Sequence, residues 1–139
     1  AWSEWRKRAL AALPLEQVME IHRAKTGALI AASCVLGAMA ATTDPSVIAG
    51  LAAYGREIGL AFQIADDVLD VTATSSQLGK TAGKDAVLSK STYVRLLGVE
   101  GARAEADRRA DRAIGHLADF GPGARTLAGL ARYIVTRSS

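Results

Sequence analysis

Three aspartates interrupt an apolar stretch near the middle of this 139-residue chain. Asp66 and Asp70 are four residues apart, so on a helix they share one face, and Asp67 lies about 100° around the axis. Gln63, one turn earlier, can join the face of Asp66. Like charges at this spacing repel each other, so the cluster favours a bound cation. Because Mg²⁺ prefers oxygen ligands and commonly bridges carboxylates to substrate phosphates, the sequence predicts Asp66, Asp67 and Asp70 as magnesium ligands.

A segment rich in glycine and lysine follows the aspartates, between Gln77 and Tyr93. Its turn-forming residues predict that the acidic helix ends near Val71, where the helix dipole also disfavours anions. A metal held by carboxylates can neutralise one side of a diphosphate, and lysines such as Lys80 and Lys90 can supply point charges on the other. The alternative is a solvated acidic face, but the apolar flanks of the aspartates and the basic segment favour a diphosphate site.

Four ordered elements of the chain resemble the trans-prenyl diphosphate synthases of the farnesyl and geranylgeranyl diphosphate synthase type. In chain order these elements are His22–Ile30, Gly59–Asp70, Leu78–Asp85 and Lys90–Tyr93. The resemblance implies an all-α fold, a helical bundle of the isoprenoid synthase type. It extends from about Leu15 to the C-terminus, and residues 1–14 form a poorly matching lead-in segment.

The resemblance also implies substrates and residue roles. The substrates are an allylic diphosphate and isopentenyl diphosphate, which condense to a longer prenyl diphosphate after Mg²⁺-dependent ionisation of the allylic partner. The residues implied in catalysis are Lys25, Lys80 and Asp66, and those implied in substrate binding are Lys25, Thr26, Gln63, Lys80 and Lys90. Arg132 and Arg137, near the C-terminus, are weaker candidates that could approach the site from the end of the chain.

One expected element of such an enzyme is missing from the sequence. The family has two aspartate-rich motifs on facing helices, and this chain resembles only the second, so residues 1–139 look like the C-terminal part of one synthase domain. We therefore expect a homodimer, or pairing with a chain that supplies the missing half. The alternative is a non-catalytic, regulatory short subunit. A terpene cyclase is disfavoured because its second metal motif needs an asparagine, and the sequence contains none.

The composition of the chain limits the classes of fold, partner and location that it could have. The chain is 50% hydrophobic but only 5% aromatic, which favours helices packed through small side chains. A net charge of +3 without a long basic run gives no sign of nucleic-acid binding. The single cysteine, Cys34, fits a reducing compartment, and we expect a cytoplasmic location. The charge-free stretch Gly27–Thr43 is interpreted as a buried bundle helix, so no integral membrane segment is expected.

Breakers and caps predict the helical layout. Asp44 is expected to cap a helix that has Pro45 as its first residue, and Gly98 is expected to break another. The Gly121-Pro122-Gly123 sequence predicts a turn before the last helix. The predicted helices cover residues 15–41, 45–71, 91–97, 99–120 and 124–137.

Overall fold

The structure, a computed structural model, describes residues 14–78 and 92–137. No strand occurs in these two ranges, which confirms the predicted all-α class. The elements in chain order are α1 (Leu15–His22), a π-helical turn (Arg23–Gly27), α2 (Ala28–Ala41), α3 (Pro45–Leu78), α4 (Thr92–Gly115), a 3₁₀ helix (Ala118–Ala124) and α5 (Arg125–Thr136).

The boundary between α2 and α3 follows the predicted cap. The Asp44 carboxylate accepts hydrogen bonds from the Ser46 backbone N–H at 2.8 Å and from the Ser46 hydroxyl at 2.7 Å. These bonds lower the pKa of Asp44. An aspartate before an initial proline satisfies one of the amides that a helix start leaves without a partner. The prediction at Asp44 and Pro45 is confirmed.

Helix α3 is longer than predicted, since it ends at Leu78 rather than near Val71. No glycine or proline lies between these residues, and the Thr72 hydroxyl donates to the Val68 carbonyl at 3.0 Å within the helix. Asp70 therefore stands about two turns before the helix end. The expected dipole penalty on the aspartates was wrong, because that effect fades beyond the last turn.

The core lies between α3, α4 and α5 in two clusters of buried side chains. Around the first half of α3 it contains Tyr54, Ile58, Ala61, Ala110, Ala113, Leu117, Ala124, Ala131 and Ile134. Around the second half it contains Ile64, Val68, Val71, Tyr93, Val94, Ala102 and Ala106. The many alanines allow the close helix packing that composition predicted.

Two glycines with positive φ lie within α4 and in the 3₁₀ helix that follows it. Gly98 has φ 71° and ψ 170°, a conformation that side chains rarely adopt, and it kinks α4 where a break was predicted. The predicted helix to Phe120 was too long, because α4 ends at Gly115 and a 3₁₀ helix with Gly121 at φ 59° follows. The last helix, Arg125–Thr136, agrees with the prediction to within one residue at each end.

The predicted burial of α2 was wrong for most of that helix. Among the described residues its main contacts are with α3 and the π-helical turn, and Leu29, Leu36 and Met39 are 71%, 67% and 59% exposed. The stretch Leu15–Ala41 is long and apolar enough to cross a membrane by length and composition, and only 11% of its most apolar window is buried. One such helix is weak evidence for a membrane, because length and composition alone do not separate a membrane span from a helix that packs against other protein.

Candidate diphosphate and metal site

The three aspartates lie on α3 in two different environments. Asp70 is exposed, and the Asp66 side chain is 44% exposed. Asp67 is partly buried on the side of α3 that faces α4, where its Oδ2 accepts a long hydrogen bond from the Tyr93 backbone N–H at 3.4 Å. Because Asp67 lies about 100° around α3 from Asp66, Asp67 points into the interface with α4. Asp66 and Asp70 face outward.

Electrostatics at Asp67 show the repulsion that the sequence predicted. The pKa of this carboxyl is raised from an ordinary 3.8 to about 6, chiefly by burial and also by the charges of Asp70 and Asp66. The Tyr93 amide and the Lys25 ammonium act in the opposite direction and lower the pKa. A cation near this cluster would relieve the repulsion.

Lys25 is on the π-helical turn, and its charge acts on Asp67. The predicted continuous helix over 15–41 is interrupted at Arg23–Gly27, the five residues that include Lys25 and Thr26. Lys25 is exposed and close enough to Asp67 to lower the pKa of that carboxyl, whereas Thr26 is partly buried. Short π-helical segments are rare and often lie at functional sites. The structure thus brings together a predicted cation and the predicted acids.

Glycine contacts bring this turn against α3. A Cβ atom on Gly59 would lie 2.6 Å from the Cα atom of Gly27, and one on Gly55 would lie 2.7 Å from the Cα atom of Ala31. Both distances are shorter than real Cβ contacts, so the two backbones touch where only glycine fits. This contact holds the turn that carries Lys25 against Gly59, which lies one helical turn before Gln63 on α3.

Gln63 is buried rather than part of an open face. Only 8% of its surface is exposed, and with Arg109 it is one of two buried polar residues among those described. Its proposed contact with substrate stays a prediction. Lys80 and Lys90 lie outside the described residues, so their predicted roles are untested as well.

Arg137 pairs with one of the three aspartates in the described part of the chain. Its guanidinium forms an ion pair with Asp66 and lies 4.6 Å from the centre of the Phe62 ring. The sequence offered Arg137 only as a weak candidate, because the two partners are 71 residues apart and no local pattern connects them. Arg132, the other candidate, pairs instead with Asp111 at 2.6 Å.

A cavity of about 430 Å³ adjoins this ion pair between α3, α4 and α5. Apolar side chains, including Val68, Leu69 and Val135, form much of its wall, and two positive charges, from Arg103 and Arg137, outnumber the one negative charge of Asp107. The carboxylate cluster is therefore bordered on one side by apolar surface, a combination that suits an anionic group attached to a hydrocarbon.

The donor set fits magnesium only together with other ligands. Within residues 14–78 and 92–137, no three His, Cys, Asp or Glu residues converge closely enough to hold a metal ion by themselves. Mg²⁺ usually keeps several waters and is bound by one or two carboxylates plus substrate phosphates. Asp66 and Asp70, which face outward, suit that arrangement. The assignment of all three aspartates as ligands stays a prediction.

Comparisons with known proteins identify the family and the fold. A family model described as polyprenyl synthetase matches residues 3–120. The chain is 48% identical over 118 residues to a dimethylallyltranstransferase of Fischerella ambigua (strain UTEX 1903), covering 85% of this chain and 34% of that protein. It is 44% identical over 131 residues to a chloroplastic geranylgeranyl pyrophosphate synthase of Catharanthus roseus, covering 94% and 37%. A crystal structure of a putative farnesyl-diphosphate synthase from Marinomonas sp. MED121 superposes with a TM-score of 0.72 at 35% identity, covering 92% and 43%.

The chain belongs to the polyprenyl synthetase family. Its fold is the helical fold of the isoprenoid synthases, as the resemblance implied. The family match begins at residue 3, upstream of Leu15, where the motif-based resemblance begins. The chain spans about a third of the length of the curated relatives that it matches.

Proposed function

We propose that this chain is part of a prenyl diphosphate synthase that condenses isopentenyl diphosphate with an allylic diphosphate. The observation that carries the proposal is the cluster of α3 carboxylates beside basic groups from other segments, with Arg137 paired to Asp66 and the charge of Lys25 acting on Asp67. Opposed acidic and basic groups suit a metal-bound diphosphate, and the named relatives are prenyl-transferring enzymes.

Asp66 and Asp70 would hold Mg²⁺ together with diphosphate oxygens, and Asp67 was predicted as a third ligand. When bound, the metal would neutralise charge on the leaving diphosphate. Lys25 would place its exposed ammonium against the same group and stabilise the negative charge that grows as the allylic bond breaks. Lys80 and Lys90 are proposed for the same role. Thr26 and Gln63 would contact substrate beside them.

The ion pair between Arg137 and Asp66 affects how Asp66 could bind a metal. Its guanidinium now neutralises Asp66, so a metal that uses Asp66 must weaken or replace this ion pair. The Nε atom of Arg137 is buried and has no hydrogen-bond partner within the described part of the chain. A diphosphate could accept from this donor once the ion pair with Asp66 opens.

More polypeptide is needed for the complete reaction under this proposal. The chain resembles only the second of the two aspartate-rich motifs, and the outer apolar face of α2 is uncovered by the described residues. We propose that this face packs against protein, either in a homodimer or against a chain that carries the first motif. A cytoplasmic location stays a prediction.

The proposal can be tested on the natural protein that contains this chain. Its intact mass would be measured, and the same sample would be assayed for Mg²⁺-dependent condensation of labelled isopentenyl diphosphate with an allylic diphosphate. We expect a mass well above 14.5 kDa and activity that stops when the metal is chelated. A 14.5 kDa protein that binds diphosphate without turnover would instead identify a non-catalytic subunit. A sample with neither binding nor turnover would contradict the proposal.

A further inference from the structure

Asp67 contacts a different structural element from the other two aspartates. Its Oδ2 accepts from the backbone N–H of Tyr93, the second residue of α4, whereas Asp66 pairs with Arg137 at the other end of the described chain. The Tyr93 contact crosses from α3 to α4 and joins residues 26 apart in sequence. Asp67 is therefore part of a helix interface.

The start of α4 has a particular need for such a contact. The first amides of a helix lack acceptors within the helix, and Tyr93 is one of them. Only Thr92–Leu97 precede the non-helical Gly98, so the opening segment of α4 is six residues long. So short a helix is not stable alone, because the cost of nucleation is spread over few hydrogen bonds. It must be held by its neighbours.

Apolar packing against α3 and the carboxylate of Asp67 hold this segment in place. Tyr93 and Val94 are 1% and 3% exposed, and they pack into the cluster that includes Ile64, Val68 and Val71. The carboxylate of Asp67 adds an acceptor and a negative charge at the positive end of the helix dipole, where anions are favoured. At 3.4 Å the hydrogen bond is long, but the charge acts over this distance as well.

We propose that Asp67 is a positioning residue that caps the start of α4 from across the helix interface. Asp66 and Asp70 are then the aspartates that face the metal and the diphosphate. The capping role does not depend on the proposed function, whereas the division of labour among the three aspartates rests on it. One aspartate of the motif thereby fixes the fold around the site while its neighbours contact the ligands.

The capping role can be measured without activity, by hydrogen–deuterium exchange of the metal-free protein. Asp67→Ala removes the acceptor and should speed exchange in residues 92–97 by roughly five-fold, the size of a lost cap. Asp67→Asn keeps an acceptor oxygen and removes the buried charge, so exchange in this segment should be no faster than in the wild type. Asp66→Ala, one residue away, is the matched control and should leave this segment unchanged. Equal exchange in all three variants would overturn the proposal.

The division of labour can be measured by turnover against Mg²⁺ concentration in the natural protein. At Asp67 the asparagine variant should recover most of the activity that the alanine variant loses, and its Mg²⁺ midpoint should match the wild type. At Asp66, asparagine should be as defective as alanine, by on the order of 100-fold. If Asp67→Asn raises the Mg²⁺ midpoint as Asp66→Asn does, Asp67 is a ligand and the proposal is wrong. A wild type without turnover would refute the proposed function, and the exchange measurement would still decide the capping role.

Discussion

The two sides of α3 are built in different ways. Toward α4 and α5, large side chains such as Tyr54, Ile58 and Ile64 fill a buried core. Toward α2 and the π-helical turn, the backbones approach closely, with glycines at 55 and 59 against Ala31 and Gly27, and Ile30 and Cys34 add side-chain contacts. Removing atoms from the first side would leave a cavity, whereas the second side has no space for an added atom at positions 55 and 59. The candidate site lies where both sides meet, so it depends on each.

The largest stability effect is expected at the backbone contact. Gly59→Ala adds a Cβ atom 2.6 Å from the Gly27 Cα atom, and backbone on both sides must move. We expect a loss of about 2–3 kcal/mol in the free energy of unfolding, measured by urea denaturation. Gly129→Ala is the control, because no atom lies within 4 Å of the added group and alanine favours a helix. Equal stability of the two variants would mean that the α2–α3 contact is looser than described.

The next effect is expected at the α3–α4 interface and depends on pH. Burial raises the pKa of Asp67 to about 6, so the folded protein binds this proton more tightly than the unfolded chain. The charged form of Asp67 therefore does not lower the free energy of unfolding below about pH 4. Its destabilising effect grows between about pH 4 and pH 6 and is complete above about pH 6. Asp67→Asn should raise the unfolding free energy of metal-free protein by about 1–3 kcal/mol at pH 8 and leave it unchanged at pH 4.

Urea denaturation in the presence of a chelator, repeated from pH 4 to pH 8, measures this difference. Asp119→Asn is a suitable control, since Asp119 is exposed at the other end of the bundle, beside Phe120. A difference between Asp67→Asn and wild type that is the same at every pH would show that the charge of Asp67 is not the cause.

A smaller effect is expected between α3 and α5. The Tyr54 hydroxyl donates to the Leu127 carbonyl at 2.8 Å, and the ring is almost fully buried. Tyr54→Phe keeps the ring and removes this bond, so we expect a loss of about 1 kcal/mol in unfolding free energy. Tyr133→Phe, on an exposed tyrosine of α5, should change it by less than about 0.5 kcal/mol. A larger loss at Tyr133 than at Tyr54 would contradict the described core.

The smallest stability effect is expected on the outer face of α2. Leu36 is 67% exposed, so Leu36→Gln should change the unfolding free energy of the isolated chain by about 0.5 kcal/mol or less. The same change should weaken self-association, measured by sedimentation over a range of concentrations, because this face is proposed to pack against protein. A strong loss of stability without any change in association would show that Leu36 is already covered within the chain.

Local features of the sequence predicted the helices well. Asp44 and Pro45 mark the start of α3, and Gly98 marks a kink, because caps and glycines act through their own backbone. The spacing of Asp66, Asp67 and Asp70 correctly predicted their mutual repulsion. The end of α3 was misplaced because a run without glycine or proline stays helical into a segment that looked like a loop.

Features that depend on packing could not be predicted in this way. The π-helical turn at Arg23–Gly27 accompanies the contact between Gly27 and Gly59, which are 32 residues apart. The pairing of Arg137 with Asp66 joins the end of the chain to its middle. The start of α4 decides which of the three aspartates faces the helix interface. The spacing of Asp66, Asp67 and Asp70 alone does not specify it.

The most direct test of the proposed function is the initial rate of condensation at saturating Mg²⁺ for Asp66→Asn beside Asp119→Asn. Both changes remove one exposed or partly exposed carboxylate, but only Asp66 belongs to the candidate site. We expect a loss on the order of 100-fold or more for Asp66→Asn at unchanged stability, and a rate near that of the wild type for Asp119→Asn. Equal rates for the two variants would contradict the assignment of the α3 aspartates to the diphosphate and its metal.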